Sequence, residues 1–265
     1  MDTVELRTFE EFETRAMLLL QRHRHRRGVN MAAISPVLFR GQAKASWGLK
    51  TTLERHSTRQ FSTEDYYKVM LAVEPTVESF TERRWDIADR YTRNDGVPGA
   101  PQGYEFMAYL RHHDFPSPLL DWTHSFYIAA FFAFHSQNAD EPRIAIYSFI
   151  EYYGEGKTGC AQEARIVGPG HYVRTHKRHF LQQSEYTYCT KQLLDGRYVY
   201  CSHEEAFARN DSEQDVLTKF VMPRTERFKV LDKLRMMNIT AYSLFGSEES
   251  LMTTLAYQEI EGKLL

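Results

Sequence analysis

Hydrophobic and polar positions along this chain follow helical spacing in some segments and strand-like runs in others. Residues 8–22, TFEEFETRAMLLLQR, place apolar side chains on one helical face, and Thr8 with Glu11 fits a capping box. We expect this helix to run on to Gly28. Further helices are predicted at 63–94, 104–113, about 125–134 and 228–239. The 125–134 segment is apolar nearly all round, which predicts a buried helix.

Short β-branched and aromatic runs predict strands between these helices. They are AISPVLFRG (33–41), the segment near Leu119 and Leu120, PRIAIYSFI (142–150), EARIVGP (163–169) and SEYTYCT (184–190). NDGVPGAPQG (94–103) is the clearest loop. Strands and helices are mixed without regular βαβ spacing or a repeat, so we predict an α+β fold with a mixed sheet core flanked by helices. No linker divides the chain, and we predict one domain over 1–265.

Composition and charge leave this picture unchanged. Of the 265 residues, 42% are hydrophobic and 26% are charged, as in ordinary globular proteins, and the net charge of −2 does not favour a nucleic-acid partner. Basic clusters at 22–27 and 174–178 are either solvent-exposed faces or a binding surface for a phosphate backbone. Nucleic acid is therefore a candidate partner through these clusters alone.

The remaining sequence signals narrow the class of protein. Cys160, Cys189 and Cys201 make no disulfide framework and show no zinc spacing, so we expect buried thiols without redox duty and no metal site. The N-terminus lacks the basic and apolar regions of a signal peptide, and no run of apolar residues is long enough to span a membrane. We expect a soluble, cytoplasmic protein with no membrane partner.

One glycine-rich stretch, GEGKTG (154–159), matches the dinucleotide fingerprint G-x-G-x-x-G. The residues after it predict a turn and a strand, whereas a pyrophosphate site needs a helix there. We interpret it as a hairpin loop.

Arg40 poses a sharper question, because it follows the apolar run Val37, Leu38 and Phe39. A charged side chain at the end of a buried strand costs solvation free energy unless an opposite charge meets it. Arg40 therefore either forms a structural ion pair or binds a negatively charged ligand.

The residues around Arg40 carry a resemblance. FRGQ (39–42) followed by Trp47, and then LLDWT (119–123) before an Ala/Phe-rich helix, resemble the FRG-domain family over roughly residues 8–250. FVMPRTE (220–226) and YSLF (242–245) fit the end of that family more loosely. The resemblance implies a related fold more than an activity.

A fainter resemblance, to ADP-ribosyltransferases of the R-S-E class, implies a chemistry and an ADP-ribosyltransferase-like fold. Arg40 resembles the arginine that ends an aromatic strand, and Thr123 or Ser125 resembles the hydroxyl before an apolar helix. Gln183 and Glu185 resemble the Q/E-x-E motif.

In that class the arginine holds the phosphates of NAD, and the hydroxyl orients the carboxylate. The resemblance therefore implies catalytic roles for Arg40, Thr123 and Glu185, the last stabilising an oxocarbenium-like transition state. The expected NAD-binding residues are Arg40, Gly41, Gln42, Asp121, Trp122 and Gln183. LLDWT departs from a plain Ser-Thr-Ser motif, and Asp121 adds a carboxylate.

Each candidate residue also has a structural alternative. Arg40 could pair with Asp121 and fix two core strands. Thr123 could cap the following helix. Glu185 could be the solvent-facing member of an alternating strand.

The aromatic and histidine candidates have alternatives as well. Trp47 and Trp122 could stack on a base or nicotinamide, or could simply pack in the core. His112 and His113 could act as acid or base, or could be helix-end histidines that favour the helix dipole.

The function that these residues predict is transfer of ADP-ribose from NAD to a macromolecule, with nucleic acid ahead of protein as the acceptor. A toxin or phage-defence role would suit it, and so would an inhibitory protein partner. The alternative is a non-catalytic module that binds a nucleotide or an acidic partner segment in the same fold. A third hypothesis is nucleic-acid binding by the basic clusters alone.

Overall fold

The structure, a computed structural model, describes residues 2–29, 35–87, 100–136, 140–151, 162–170, 173, 175–208 and 215–262, with residues 26–29 described by their backbone only. Within these ranges the chain forms an open eight-stranded sheet with ten α-helices around it. The α+β class and the mixed sheet flanked by helices are thereby confirmed.

The strands are β1 (Asp2–Glu5), β2 (Leu38–Gln42), β3 (Leu120–Thr123), β4 (Arg143–Glu151), β5 (Arg165–Val167), β6 (Ser184–Gln192), β7 (Tyr198–Tyr200) and β8 (Asp215–Pro223). Their order in the sheet is β1-β8-β4-β2-β3-β6-β5, and β7 pairs with β6. β1 and β8 run parallel, while the other paired strands run antiparallel. β4 is buried from Ile144 to Glu151, because helices and loops cover both of its faces.

The helices are α1 (Phe9–Val29), α2 (Thr52–His56), α3 (Thr63–Thr81), α4 (Tyr104–His112), α5 (Phe126–Phe134), α6 (Lys177–Leu181), α7 (His203–Phe207), α8 (Arg227–Met236), α9 (Ala241–Phe245) and α10 (Glu248–Ala256). α5 is the predicted all-apolar helix, and seven of its nine residues are buried. Its N-cap is Ser125, whose hydroxyl accepts from the N–H of Ile128, so Thr123 is not the capping residue.

The core lies on both faces of the sheet. α1, α5 and α8 cover one face, where Phe39 and Phe126 pack edge to face with ring centroids 5.9 Å apart. On the other face Trp122, Phe149 and Phe207 belong to one buried cluster. α4 contributes to a third cluster that reaches Tyr186 of β6.

Element boundaries differ from the predictions where the local pattern is weak. α1 continues to Val29, one residue past Gly28, and the helix that begins at Thr63 ends at Thr81 because Glu82 turns left-handed with φ 57°. β2 begins at Leu38, and residues 35–37 precede it without strand pairing. β1 was not predicted, since an exposed edge strand carries little apolar signal.

Two predicted loops lie mainly outside the described residues. The stretch 154–159 lies wholly outside them, and of the loop at 94–103 only residues 100–103 are described.

Candidate functional site

A cavity opens where β2 and β3 separate. Phe39 and Thr123 are the one register pair between these two strands in the described part of the chain. Beyond that pair the strands diverge, and a cavity of about 470 Å³ lies between them. Strand separation exposes main-chain and side-chain polar groups at the centre of the sheet, which is a place where a ligand can bind.

The cavity wall carries an excess of positive charge. Its charged lining residues are Arg40, Arg55, Arg111, Arg178, Asp114 and Asp121, four arginines against two aspartates. Such an excess of two formal charges, bordered by a largely buried wall, favours an anionic ligand.

Asp121 is the carboxylate at the centre of these arginines. Nη1 of Arg40 donates to the Asp121 carbonyl at 2.7 Å and lies 3.7 Å from its carboxylate. Nη2 of Arg111 donates to the same carboxylate. The structural alternative, an Arg40–Asp121 ion pair, is therefore present in the structure. One carboxylate shared by two guanidinium groups still leaves several of their N–H donors for a ligand.

The pKa of Arg40 reflects the same excess of positive charge. Burial lowers the pKa of Arg40 to about 10; Asp121 opposes this shift, while Arg111 and Arg55 add to it. The Nε atoms of Arg40 and Arg111 are buried and have no hydrogen-bond partner among the described residues. Arg40 stays charged at neutral pH, and a bound anion would stabilise that charge.

Five phenylalanine and tryptophan residues line the same cavity, namely Phe39, Trp47, Trp122, Phe132 and Phe245. Trp47 is 47% exposed, so its predicted alternative role in the core is wrong. Trp122 is 2% exposed, and its indole N–H donates to the hydroxyl of Thr187 at 2.8 Å. Thr187 in turn contacts Nε2 of His203 at 2.9 Å, so buried polar groups hold the Trp122 ring in place.

Thr123 lines the cavity, and its hydroxyl is engaged by the main chain. The hydroxyl donates to the carbonyl of Gln182 at 2.7 Å and accepts from the N–H of Ser125 at 3.1 Å. It therefore contacts backbone groups where the resemblance placed the Glu185 carboxylate.

Glu185 is only 2% exposed, so it is not the solvent-facing residue of β6. It lies opposite Trp122 in the β3–β6 ladder. Its neighbour Ser184 lines the cavity, whereas Glu185 is not among the lining residues that the structure describes. Its Oε2 lies 2.9 Å from Nε2 of His124, without the alignment of a hydrogen bond. A buried carboxylate oxygen in this state is uncommon and calls for a functional or structural reason.

Gln183 and Gln42 have local structural contacts. Gln183 is exposed and adopts a left-handed backbone conformation, with φ 47°, between α6 and β6. Its backbone carbonyl accepts from the N–H of His124 at 3.0 Å. Gln42 lines the cavity, and its side-chain amide donates to the carbonyl of Gly48 at 3.1 Å.

Gly41 lines the cavity and also lets β2 approach α5. A Cβ atom on Gly41 would lie 1.8 Å from the carbonyl oxygen of Ala129 and 2.8 Å from the backbone nitrogen of Ala133. The glycine that follows Arg40 is thus required by helix packing.

Sequence reasoning missed Arg55 and Arg111 of this cavity, and it named His112 only as a possible acid or base. Arg111 and His112 lie in the last turn of α4, and Arg55 lies in the short helix α2. The Nε2 atom of His112 contacts the hydroxyl of Tyr186, and that hydroxyl also lies 3.3 Å from Nδ1 of His179. The sequence signal was present in LRHHD, but only the fold brings this helix end to β3.

The basic clusters divide between the surface and the cavity. Arg22 and Arg24 are exposed on α1, while Arg178 donates to the carbonyl of Phe245 at 3.2 Å and lines the cavity. Lys177 begins α6. Arg174 and the side chains of Arg26 and Arg27 lie outside the described residues.

The described residues contain neither a group of metal ligands nor a candidate membrane-spanning helix. No three His, Cys, Asp or Glu side chains come close enough there to hold a metal ion. None of the helices in those ranges combines the length and the apolar character that a membrane crossing requires.

Comparison with known proteins gives one match. Residues 35–142 match the FRG domain family, a segment that runs from the start of β2 past α5 and includes Arg40, Gly41, Asp121 and Thr123. No curated protein and no solved structure is significantly similar to the chain. The predicted extent of a single domain over 1–265 stays a prediction. The part of the chain that is similar to the FRG domain family is therefore residues 35–142.

Proposed function

We propose that the cavity between β2 and β3 binds NAD and that the chain transfers ADP-ribose from it to a macromolecule, in an ADP-ribosyltransferase-like fold. The supporting observation is that residues far apart in sequence meet at one positively charged cavity. Arg40, Asp121, Trp122 and Thr123 line it together with Arg111.

The arginines suit the diphosphate of a dinucleotide. Arg40 and Arg111 share Asp121 and retain further N–H donors, and guanidinium groups bind phosphate oxygens in paired, charge-assisted hydrogen bonds. The exposed face of Trp47 offers a surface on which an aromatic ring of the nucleotide can stack.

The reaction requires a carboxylate beside the ribose that carries nicotinamide. The bond between C1′ and the nicotinamide nitrogen breaks, nicotinamide leaves, and the acceptor forms a bond to C1′ while losing its proton. Glu185 would stabilise the positive charge that develops on the ribose. Glu185 lies opposite Trp122 and next to Ser184, which both line the cavity. We propose that ligand binding turns its side chain away from His124 and into the cavity.

A second candidate function is a nucleotide-binding module without catalysis. The specific observation that favours it is the position of Glu185, which is buried against His124 and outside the cavity lining. In this case the arginines bind the phosphates and no bond is broken.

The test combines binding and turnover on four variants. NAD and ADP-ribose binding is measured by calorimetry, and NAD consumption by release of nicotinamide. Arg40→Ala should weaken binding about 10–100-fold, since hydrogen bonds to charged groups contribute about 1.5–3 kcal/mol. Glu185→Gln should bind nearly normally and lose about 100-fold or more in turnover.

Matched controls separate the site from general effects. Arg59→Ala removes an exposed arginine that pairs with Asp65, and Glu151→Gln alters a buried carboxylate at the far end of β4. Both should bind and turn over NAD as the wild type does. Binding without any turnover would establish the module, and absence of NAD and ADP-ribose binding would refute both functions.

The acceptor is tested with NAD labelled in its adenylate phosphate. We propose nucleic acid ahead of protein, because Arg178 at the cavity belongs to a basic cluster and Arg22 and Arg24 are exposed. Incubation with separate RNA, DNA and protein pools should label one of them. If basic clusters alone bind nucleic acid, binding should fall steeply with salt and be unaffected by Arg40→Ala.

A toxin or phage-defence role, with an inhibitory protein partner, is the biological setting we propose for this activity. Expression of the wild-type chain should then arrest growth, and expression of Glu185→Gln should not.

A further inference from the structure

Two cysteines that are twelve residues apart in the sequence come together where β6 pairs with β7. The sulfur atoms of Cys189 and Cys201 lie 3.4 Å apart, and both thiols are free. Cys189 lies in β6, and Cys201 follows β7 one position beyond the Thr190–Tyr200 pair. The N–H of Cys201 donates to the carbonyl of Cys189 at 3.0 Å. The two side chains are therefore opposite neighbours in a hairpin.

We propose that Cys189 and Cys201 form a reversible redox modification site, in which a peroxide closes a disulfide between them and a dithiol reopens it. A disulfide needs a sulfur–sulfur distance of about 2.0 Å and Cα atoms about 4.4–6.8 Å apart. Opposite residues in an antiparallel pair already meet the Cα requirement. Small side-chain rotations are enough to close the remaining gap between the sulfur atoms.

The two cysteines differ in exposure, and this difference determines which sulfur the peroxide oxidises first. Cys189 is 1% exposed, whereas Cys201 is partly exposed and can meet an oxidant. The hydrogen bond with Cys201, and then burial, raise the pKa of Cys189, which keeps its proton and can donate it to the sulfur of Cys201. Cys201 is thus the sulfur that reacts first.

The electron balance is complete with hydrogen peroxide as the oxidant. Peroxide transfers one oxygen to the Cys201 thiol, giving a sulfenic acid and one water. The Cys189 sulfur then attacks the Cys201 sulfur, the S–S bond forms, and a second water leaves. Each thiol loses one hydrogen in total, and a dithiol reductant restores both.

This proposal differs from the expectation that the cysteines have no redox role, and it is independent of the proposed function. Spacing within the sequence gave no indication of the pair, since residues 189 and 201 are separated by the whole β6–β7 turn. Cys160 lies outside the described residues and serves as the control position.

The experiment measures thiols and disulfides in the folded, fully reduced chain. After treatment with equimolar hydrogen peroxide, the remaining thiols are alkylated and the intact mass is determined. We expect a loss of two of the three thiols, a mass decrease of about 2 Da before alkylation, and a peptide that links Cys189 to Cys201. A dithiol should return all three thiols.

Three variants make the result decisive. Cys160→Ser should still form the bond, while Cys201→Ser and Cys189→Ser should not. Urea unfolding of the wild type should show a higher midpoint after oxidation, and Cys201→Ser should show no such shift. Retention of three thiols, a disulfide that involves Cys160, or oxidation that stops at sulfinic acid would overturn the proposal.

Discussion

The carboxylate of Glu185 lies 2.9 Å from Nε2 of His124, and Glu185 is buried while the His124 side chain is 32% exposed. Neither residue is among the cavity-lining residues that the structure describes, so the Glu185 side chain would have to leave this contact to reach a ligand in the cavity. His124 directly follows Thr123, the last residue of β3. Its N–H donates to the carbonyl of Gln183, which fixes the His124 backbone next to the start of β6.

His124→Ala should destabilise the chain by about 1–3 kcal/mol, because it leaves a buried carboxylate without its charged or polar partner. The measurement is urea unfolding at neutral pH. In a Glu185→Gln background the same substitution should cost less, since an amide is less costly to leave unpaired. Equal costs in both backgrounds would show that the two side chains are not coupled.

Asp121→Asn should tighten binding of inorganic diphosphate by about 3–10-fold. The substitution removes the carboxylate that Arg40 and Arg111 share, so the charge excess of the cavity rises. Calorimetry at low salt measures the affinity, and added salt should reduce the difference. Weaker binding would mean that Asp121 serves the site chiefly by orienting the two guanidinium groups.

Gly41→Ala should lower the free energy of unfolding by about 3 kcal/mol or more. The new Cβ would meet backbone atoms of α5, with the Ala129 oxygen 1.8 Å away, and neither β2 nor α5 can move without disturbing the core. At Gly48, a Cβ would meet the end of the flexible Glu204 side chain at 2.1 Å. Gly48→Ala should therefore cost much less, and a similar loss in both variants would contradict this account.

Stability should fall as the pH drops below neutrality because of the buried His203 and the half-buried His112. Burial lowers the pKa of His112 to about 4 and that of His203 to about 3, and Arg40 adds to the shift of His203. Between the unfolded value of about 6.5 and these native values, the unfolded chain binds protons that the native chain does not. The contribution of these two histidines to the free energy of unfolding is therefore fully present above pH 6.5, and it declines as the pH falls towards 4.

Each histidine should contribute a slope of about 1.4 kcal/mol per pH unit at most in that window. Urea unfolding between pH 7 and pH 4.5 measures it. His203→Gln and His112→Gln should each reduce the slope, and His203→Gln retains an acceptor for the Thr187 hydroxyl. An unchanged slope in both variants would assign the acid sensitivity to other groups.

The sequence by itself determined the elements that carry a strong local pattern. The apolar helix α5, the buried strand β4 and the arginine after Phe39 could be predicted, because burial imposes its own spacing of apolar residues. As site residues, Arg40, Asp121 and Thr123 were named instead through the motifs FRGQ and LLDWT, which resemble the FRG-domain family.

Only the tertiary structure decided which side chains meet. Arg111 comes from the end of α4, Arg178 comes from α6, and both reach the cavity because β2 and β3 separate beyond Phe39. The contacts of Glu185 with His124 and of Cys189 with Cys201 likewise depend on strand register. Local sequence sets the period of burial along one element, whereas register and strand separation arise from packing between elements far apart in the chain.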